Sequence, residues 1–194
     1  MKTEIKIKQN SKEWHEHRKN YINASEVASL MGLNPFESKE ELIKKKIFKI
    51  KFKTNDSIEH GKKTEKKANL FFSLKMKKNY VPTVFINDIF SASLDGYHKE
   101  SNSLLEIKCP INKESKSWEG FFKKDIIPIY YWAQVQCQIF CSECDKAYFL
   151  VYFNDDEYKF IEVIKDDKFI QKMIFESKLY KVEIDRILID FENK

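Results

Sequence analysis

The reading turns on Ser91-Ala92-Ser93-Leu94-Asp95-Gly96 and the Leu104-Leu105-Glu106-Ile107-Lys108-Cys109-Pro110 that follows it. Side chains alternate faces along a strand, so Glu106 and Lys108 point the same way if 103–108 is extended. Asp95 stands beside Gly96, where a preceding strand over 89–94 would turn. A hairpin then brings Asp95, Glu106 and Lys108 to one end of a sheet. Two carboxylates can hold a hard divalent cation through oxygen ligands. A neighbouring lysine can orient or deprotonate a water, or neutralise charge building on a phosphate. These are the parts of a metal-dependent phosphodiesterase. The same residues also read as ordinary structure: Asp-Gly is a frequent turn, and Glu-x-Lys is a frequent surface ion pair of small energetic worth. Leu104, Leu105 and Ile107 favour a buried strand over a solvated edge.

Working outward, 194 residues with 42% hydrophobic and 14% aromatic content suit one globular domain, 1–194. No stretch reaches the ~20 apolar residues of a membrane span. The first residues, Met1 to Gln9, lack the apolar centre of a signal peptide, so a cytoplasmic protein, bacterial or in a phage-infected cell, is the expectation. The net charge of +5 is unevenly spread: 39–79 carries 14 lysines against five acids, whereas 154–194 is acidic on balance. The basic stretch suits a polyanion, though a solvated lysine face has the same composition. Cys137, Cys141 and Cys144 are spaced C-x3-C-x2-C, which can bind zinc or an iron–sulfur cluster, or simply be buried thiols.

The pattern predicts a short strand at 3–8 and a helix at 11–19. A second helix begins at Asn23, with Glu26 in capping-box spacing, and a third spans 38–48. A long helix covers 56–76, with Leu70, Phe71, Phe72 and Leu74 as apolar bulk. Strands follow at 80–86, 89–94 and 103–108, then helices near Trp118 and over 129–141. Strands at 146–153 and 157–164 and a helix over 166–190 complete an α/β or α+β domain with a mixed sheet.

Other candidate parts flank the sheet motif. Glu65 stands in the basic helix, where it also pairs with lysines at i, i+4 spacing. Gln134, Gln136 and Gln138 cannot share one helical face, so at least one turns inward. The helix start at Asn23-Ala24-Ser25-Glu26 offers free N–H groups to an anion, Ser25 adds a hydroxyl, and Arg18 adds a planar fork of donors. Capping by Asn23 and a surface arginine account for the same residues.

In order along the chain, Trp14-His15-x-x-Arg18, Ala24-Ser25-Glu26, Gly61-x-x-x-Glu65, Ser93-x-Asp95-Gly96 with Leu105 to Pro110, and Tyr131-x-Ala133-Gln134-Val135-Gln136 resemble the lambda-type exonuclease, or YqaJ-like viral recombinase, family. The resemblance implies a restriction-endonuclease-like core of the PD-(D/E)XK type. It implies Mg²⁺-dependent digestion of linear double-stranded DNA from the 5′ end, releasing mononucleotides and leaving a 3′ single strand; an all-oxygen site accepts Mn²⁺ as well. By this resemblance Asp95, Glu106 and the Ile107 carbonyl hold metal, and Glu65 completes a second site, giving two ions. Lys108 activates the attacking water and Gln134 positions Lys108 or the scissile phosphate. Arg18 and Ser25 grip the terminal 5′-phosphate, with Ser93 a further candidate. The resemblance further implies a homotrimeric ring, action with a single-strand annealing protein in phage-type recombination, and no membrane partner. Leu94 stands where such proteins often carry proline. Two rival readings are a PD-(D/E)XK endonuclease or junction resolvase, and a DNA-binding module whose acids are structural.

Overall fold

The computed structural model describes residues 2–48, 50, 56–113 and 116–192. The elements in order are β1 (Thr3–Ile5), α1 (Lys12–Lys19) and β2 (Ile22–Asn23); a 3₁₀ turn (Ala24–Glu26) leading into α2 (Val27–Leu30), α3 (Lys39–Ile47) and α4 (Asp56–Met76); β3 (Val81–Asn87), β4 (Phe90–His98) and β5 (Ser103–Lys108); α5 (Lys116–Lys124) and α6 (Ile129–Ser142); β6 (Lys146–Tyr152), β7 (Tyr158–Val163) and α7 (Asp167–Glu192). They form a mixed α/β fold on one seven-stranded sheet of order β1-β3-β4-β5-β6-β7, with β2 beside β4. β5 and β6 run parallel, as do β2 and β4; the other neighbours are antiparallel.

Alternation along the strands divides the core. Leu104 faces a large cluster with Phe90, Leu94, Ala133, Val135 and Ile139, covered by α2, α6 and α7. Leu105 and Ile107 face a smaller cluster with Ala68, Phe72, Tyr80 and Tyr152, covered by α4. Within the α4 run, Phe72 is buried while Leu70 and Leu74 face solvent.

β4 is the element that shapes the site. Its strand does not turn at Asp95-Gly96, as the sequence suggested, but continues to His98; the reversal comes at 99–102. Tyr97 pairs with Val81 and Leu94 with Thr83, so Asp95 and Gly96 together oppose Pro82 alone, a β-bulge. A bulge bends its strand and re-aims a side chain, and Pro82 has no N–H to lose there. Gly96 is required by close approach: a Cβ built on it would lie 2.6 Å from Tyr80 Cβ and 3.3 Å from Leu105 Cβ.

The other edge of β4 is forked. β2 pairs with it at Phe90–Ser91 and β5 at Gly96–His98, leaving 92–95 without a strand on that side. Side chains take up the freed backbone groups, as buried backbone requires. Gln138 donates to the Ser93 carbonyl, Asn69 to that of Asp95, and Gln9 to that of Leu94.

Other boundaries shift for local reasons. The first strand stops at Ile5, where its pairing with β3 ends opposite Val84. The expected second helix is a 3₁₀ turn and a four-residue α2, ended at Gly32 with φ +68°. Glu26 does accept the Asn23 N–H, half of a capping box, at 3.0 Å. Among the described residues, no helix is long and apolar enough to cross a membrane.

Candidate active site

The acids meet where the sheet forks. Glu106 reaches in from the α6 side and is only 2% exposed. Its Oε1 accepts from Lys108 Nζ at 2.6 Å and Gln134 Nε2 at 2.7 Å, and its Oε2 accepts from Gln138 Nε2 at 2.5 Å. Asp95, re-aimed by the bulge, accepts the Ile107 N–H through Oδ2 at 2.7 Å. Glu65 joins them from α4, where it lines with Asn69, Pro82 and Asp95 an open cleft of about 230 Å³. A larger cleft of about 450 Å³ against α7, lined by Tyr21, Tyr180 and Ile184 among others, contains none of these acids.

The groups act on one another's ionisation. Burial, then the charges of Glu106 and Glu65, hold Asp95 well above the usual carboxylate range. Burial and Glu106 push Glu65 up as well. Burial alone would lower the Lys108 ammonium, but Glu106, Tyr131 and Asp95 beside it raise it above its ordinary value. Lys108 also lies over the Tyr131 ring, 4.6 Å from its centroid, and that ring stacks on Trp118. In this state Lys108 is a cation and a hydrogen-bond donor, not a base.

The carboxylates of Glu106, which holds the Lys108 ammonium, and of Asp95 and Glu65 are hard oxygen donors of the kind that suits Mg²⁺ or Mn²⁺. Among the described residues, no three acid, histidine or cysteine side chains already converge as a cage. By charge and donor type the set still fits a divalent cation, which would offset the burial and like charge that raise Asp95 and Glu65.

Of the residues expected to grip an anion, Ser93 lies on β4, Arg18 in α1 and Ser25 in the 3₁₀ turn. Arg18 Nη2 donates to Ser25 Oγ at 3.1 Å, and the guanidinium stacks on Trp14 at 4.6 Å. Trp14 Nε1 donates to Ser93 Oγ at 2.8 Å, two residues before Asp95. Arg18, Ser25 and Ser93 are thus linked through one tryptophan. Because α2 has four residues and follows a 3₁₀ turn, a helix dipole adds little here, so the expected anion grip would fall to the side chains. Lys46 supports it from below, donating to the Tyr21 carbonyl at 2.8 Å and pairing with Glu26 at 2.9 Å. That lysine of the basic stretch is structural, whereas Lys63 and Lys66 on α4 are exposed near Glu65.

Two participants were missed. The sequence marks Gln138 only as one of three glutamines; its i, i+4 spacing from Gln134 is the usable signal. Asn69, which fixes the Asp95 carbonyl at 2.7 Å, has no sequence signal of its own. The cysteine cluster stands apart: Cys137, Cys141 and Cys144 are buried, and burial pushes the Cys144 thiol up to about 11.

A forked mixed sheet with acids and a lysine at the fork defines the restriction-endonuclease-like fold. The structure superposes on the alkaline exonuclease LHK-Exo of Laribacter hongkongensis with a TM-score of 0.80 at 22% identity, covering 94% of this chain and 97% of that one. It also matches LHK-Exo in complex with dAMP, at a TM-score of 0.78. A phage-related exonuclease from Haemophilus somnus matches at 0.68 and 14% identity, over 88% of this chain and 96% of the other. Residues 13–145 match the YqaJ-like viral recombinase domain, and the chain belongs to that family. An uncharacterized protein of Acanthamoeba polyphaga mimivirus is 27% identical over 175 residues; these are 82% of this chain but 32% of the relative, so the chain spans about a third of its length.

Proposed function

We propose that this protein is a metal-dependent 5′-to-3′ exonuclease that digests linear double-stranded DNA to mononucleotides. The observation that carries the reading is the gathering of Asp95, Glu106, Glu65 and Lys108 at one fork of the sheet. Membership of the recombinase family and the exonuclease fold support it. Asp95, Glu106, the Ile107 carbonyl and Glu65 would hold Mg²⁺, which supplies Lewis-acid polarisation of the phosphate and a more acidic bound water.

The chain's own residues do the rest. Lys108 donates toward the reacting phosphate or its water, with Gln134 keeping the lysine's carboxylate partner in place. Hydrolysis breaks the P–O3′ bond, the water oxygen joins phosphorus, and the departing O3′ takes a proton. Each cut frees one mononucleotide and leaves a new 5′-phosphate on the shortened strand. Arg18 and Ser25, with Ser93 nearby, would grip that phosphate and so register the next bond. A mononucleotide complex of the related LHK-Exo agrees with a product of this size. Exposed Lys63 and Lys66 would follow the backbone without reading bases. We further propose a homotrimeric ring and a single-strand annealing partner, as the family membership suggests.

The test is release of mononucleotides from 5′-phosphorylated duplex in Mg²⁺ and in chelator. Mg²⁺-dependent release is expected. Metal-independent DNA binding without release would return the protein to a binding module.

A further inference from the structure

Resting on this nuclease reading, we propose that Gln138 is a positioning residue that fixes the Glu106 carboxylate for metal and holds the two arms of the forked sheet in register. One amide nitrogen does both: Nε2 lies 2.5 Å from Glu106 Oε2 and 3.1 Å from the Ser93 carbonyl. It thereby ties β5, which carries the acid, to β4, which carries Ser93, where no strand pairing joins them. Gln134, one turn earlier on α6, takes the other oxygen of the same carboxylate. The helix thus clamps Glu106 at both oxygens.

Packing does not explain a glutamine at this position. Gln138 is 0% exposed, and its neighbours along the buried helix include Val135, Cys137, Ile139 and Cys141. The amide cannot be reversed, since its oxygen would then face a carboxylate and a carbonyl. In the orientation that serves Glu106, Oε1 meets no donor among the described residues. Gln136 makes the contrast clear. Equally buried, it points to the start of α7, bonding the Ile164 carbonyl and the Asp166 N–H.

The hydrogen-bonded partners of metal ligands set affinity by orienting them. The experiment measures Mn²⁺ binding by paramagnetic resonance on the DNA-free protein, beside steady-state digestion of duplex. Gln138→Met is expected to raise the Mn²⁺ Kd about tenfold or more. It should lower kcat and leave the KM for DNA ends unchanged, because a fully buried residue cannot touch the substrate. Gln136→Met should leave the Mn²⁺ Kd as in wild type. Equal Kd in Gln138→Met and wild type would overturn the assignment, as would equal losses in both methionine variants. If Gln138→Met does not fold, Gln138→Asn, which keeps an amide but withdraws it by one methylene, must show the same loss; wild-type affinity there overturns the proposal. A wild type that neither binds Mn²⁺ nor cuts DNA fails the nuclease reading itself, and this inference with it.

Discussion

The Asp95 carboxylate accepts the backbone N–H of Ile107 at 2.7 Å, across the gap where β4 and β5 have stopped pairing. That bond aligns Ile107, the residue between Glu106 and Lys108, with the strand that carries Ser93. Loss of the ladder at this point makes room for the acids, and side chains rebuild what the backbone has given up.

Lys108 is held as an ammonium against Glu106 and over Tyr131. Lys108→Ala is expected to reduce DNA cutting at least about a hundredfold, the scale of removing one transition-state donor. Duplex binding in Ca²⁺, measured by fluorescence anisotropy, should change little. Near wild-type cutting would dismiss the lysine's role.

Burial, then the charges of Glu106 and Glu65, hold Asp95 well above the usual carboxylate range, and burial and Glu106 raise Glu65. From the ordinary carboxylate pKa up to the raised folded values, the unfolded chain has released protons that the folded chain keeps. Their contribution to metal-free stability is therefore fully present in acid and is lost as pH rises through the folded values. Asp95→Asn escapes this loss while still accepting from Ile107. In chelator at neutral pH its melting temperature should exceed that of wild type. Mg²⁺ should then stabilise wild type and not the variant. A variant that melts lower in chelator, or gains as much from Mg²⁺, would contradict the charge balance drawn here.

Arg18 and Ser25 lie 3.1 Å apart, joined to Ser93 through Trp14. Arg18→Ala should slow digestion of 5′-phosphorylated ends far more than of 5′-hydroxyl ends, read from initial rates on matched substrates. Equal slowing would remove the phosphate pocket.

Gly96 has no room for a methyl group, since the nearest atom would be the backbone-anchored Tyr80 Cβ at 2.6 Å. Gly96→Ala should cost about 1–3 kcal/mol, as overpacking does. The urea midpoint measures it, and an unchanged midpoint would show that the bulge yields freely.

Much of this was legible in the sequence because it rests on local pattern. Leu104, Leu105 and Ile107 marked a strand buried on both faces, and Glu106 and Lys108 had to share a side by its period. The ordered family blocks led to Gln134, Arg18 and Ser25. What stayed hidden depends on partners distant in the chain. Asp95-Gly96 was read as a turn because its bulge is defined by Pro82 on another strand. Lys46 was counted toward DNA, yet its place under Arg18 follows from how α3 packs. The roles of Gln138 and Asn69 exist only once the sheet has forked.

An exonuclease site at the fork would engage only DNA ends. The decisive comparison is digestion in Mg²⁺ of 5′-phosphorylated linear duplex beside the same DNA as a covalently closed circle. The linear DNA should be lost to mononucleotides while the circle survives. Cutting of the circle would make the protein an endonuclease, and survival of both would rule out nuclease action at the fork.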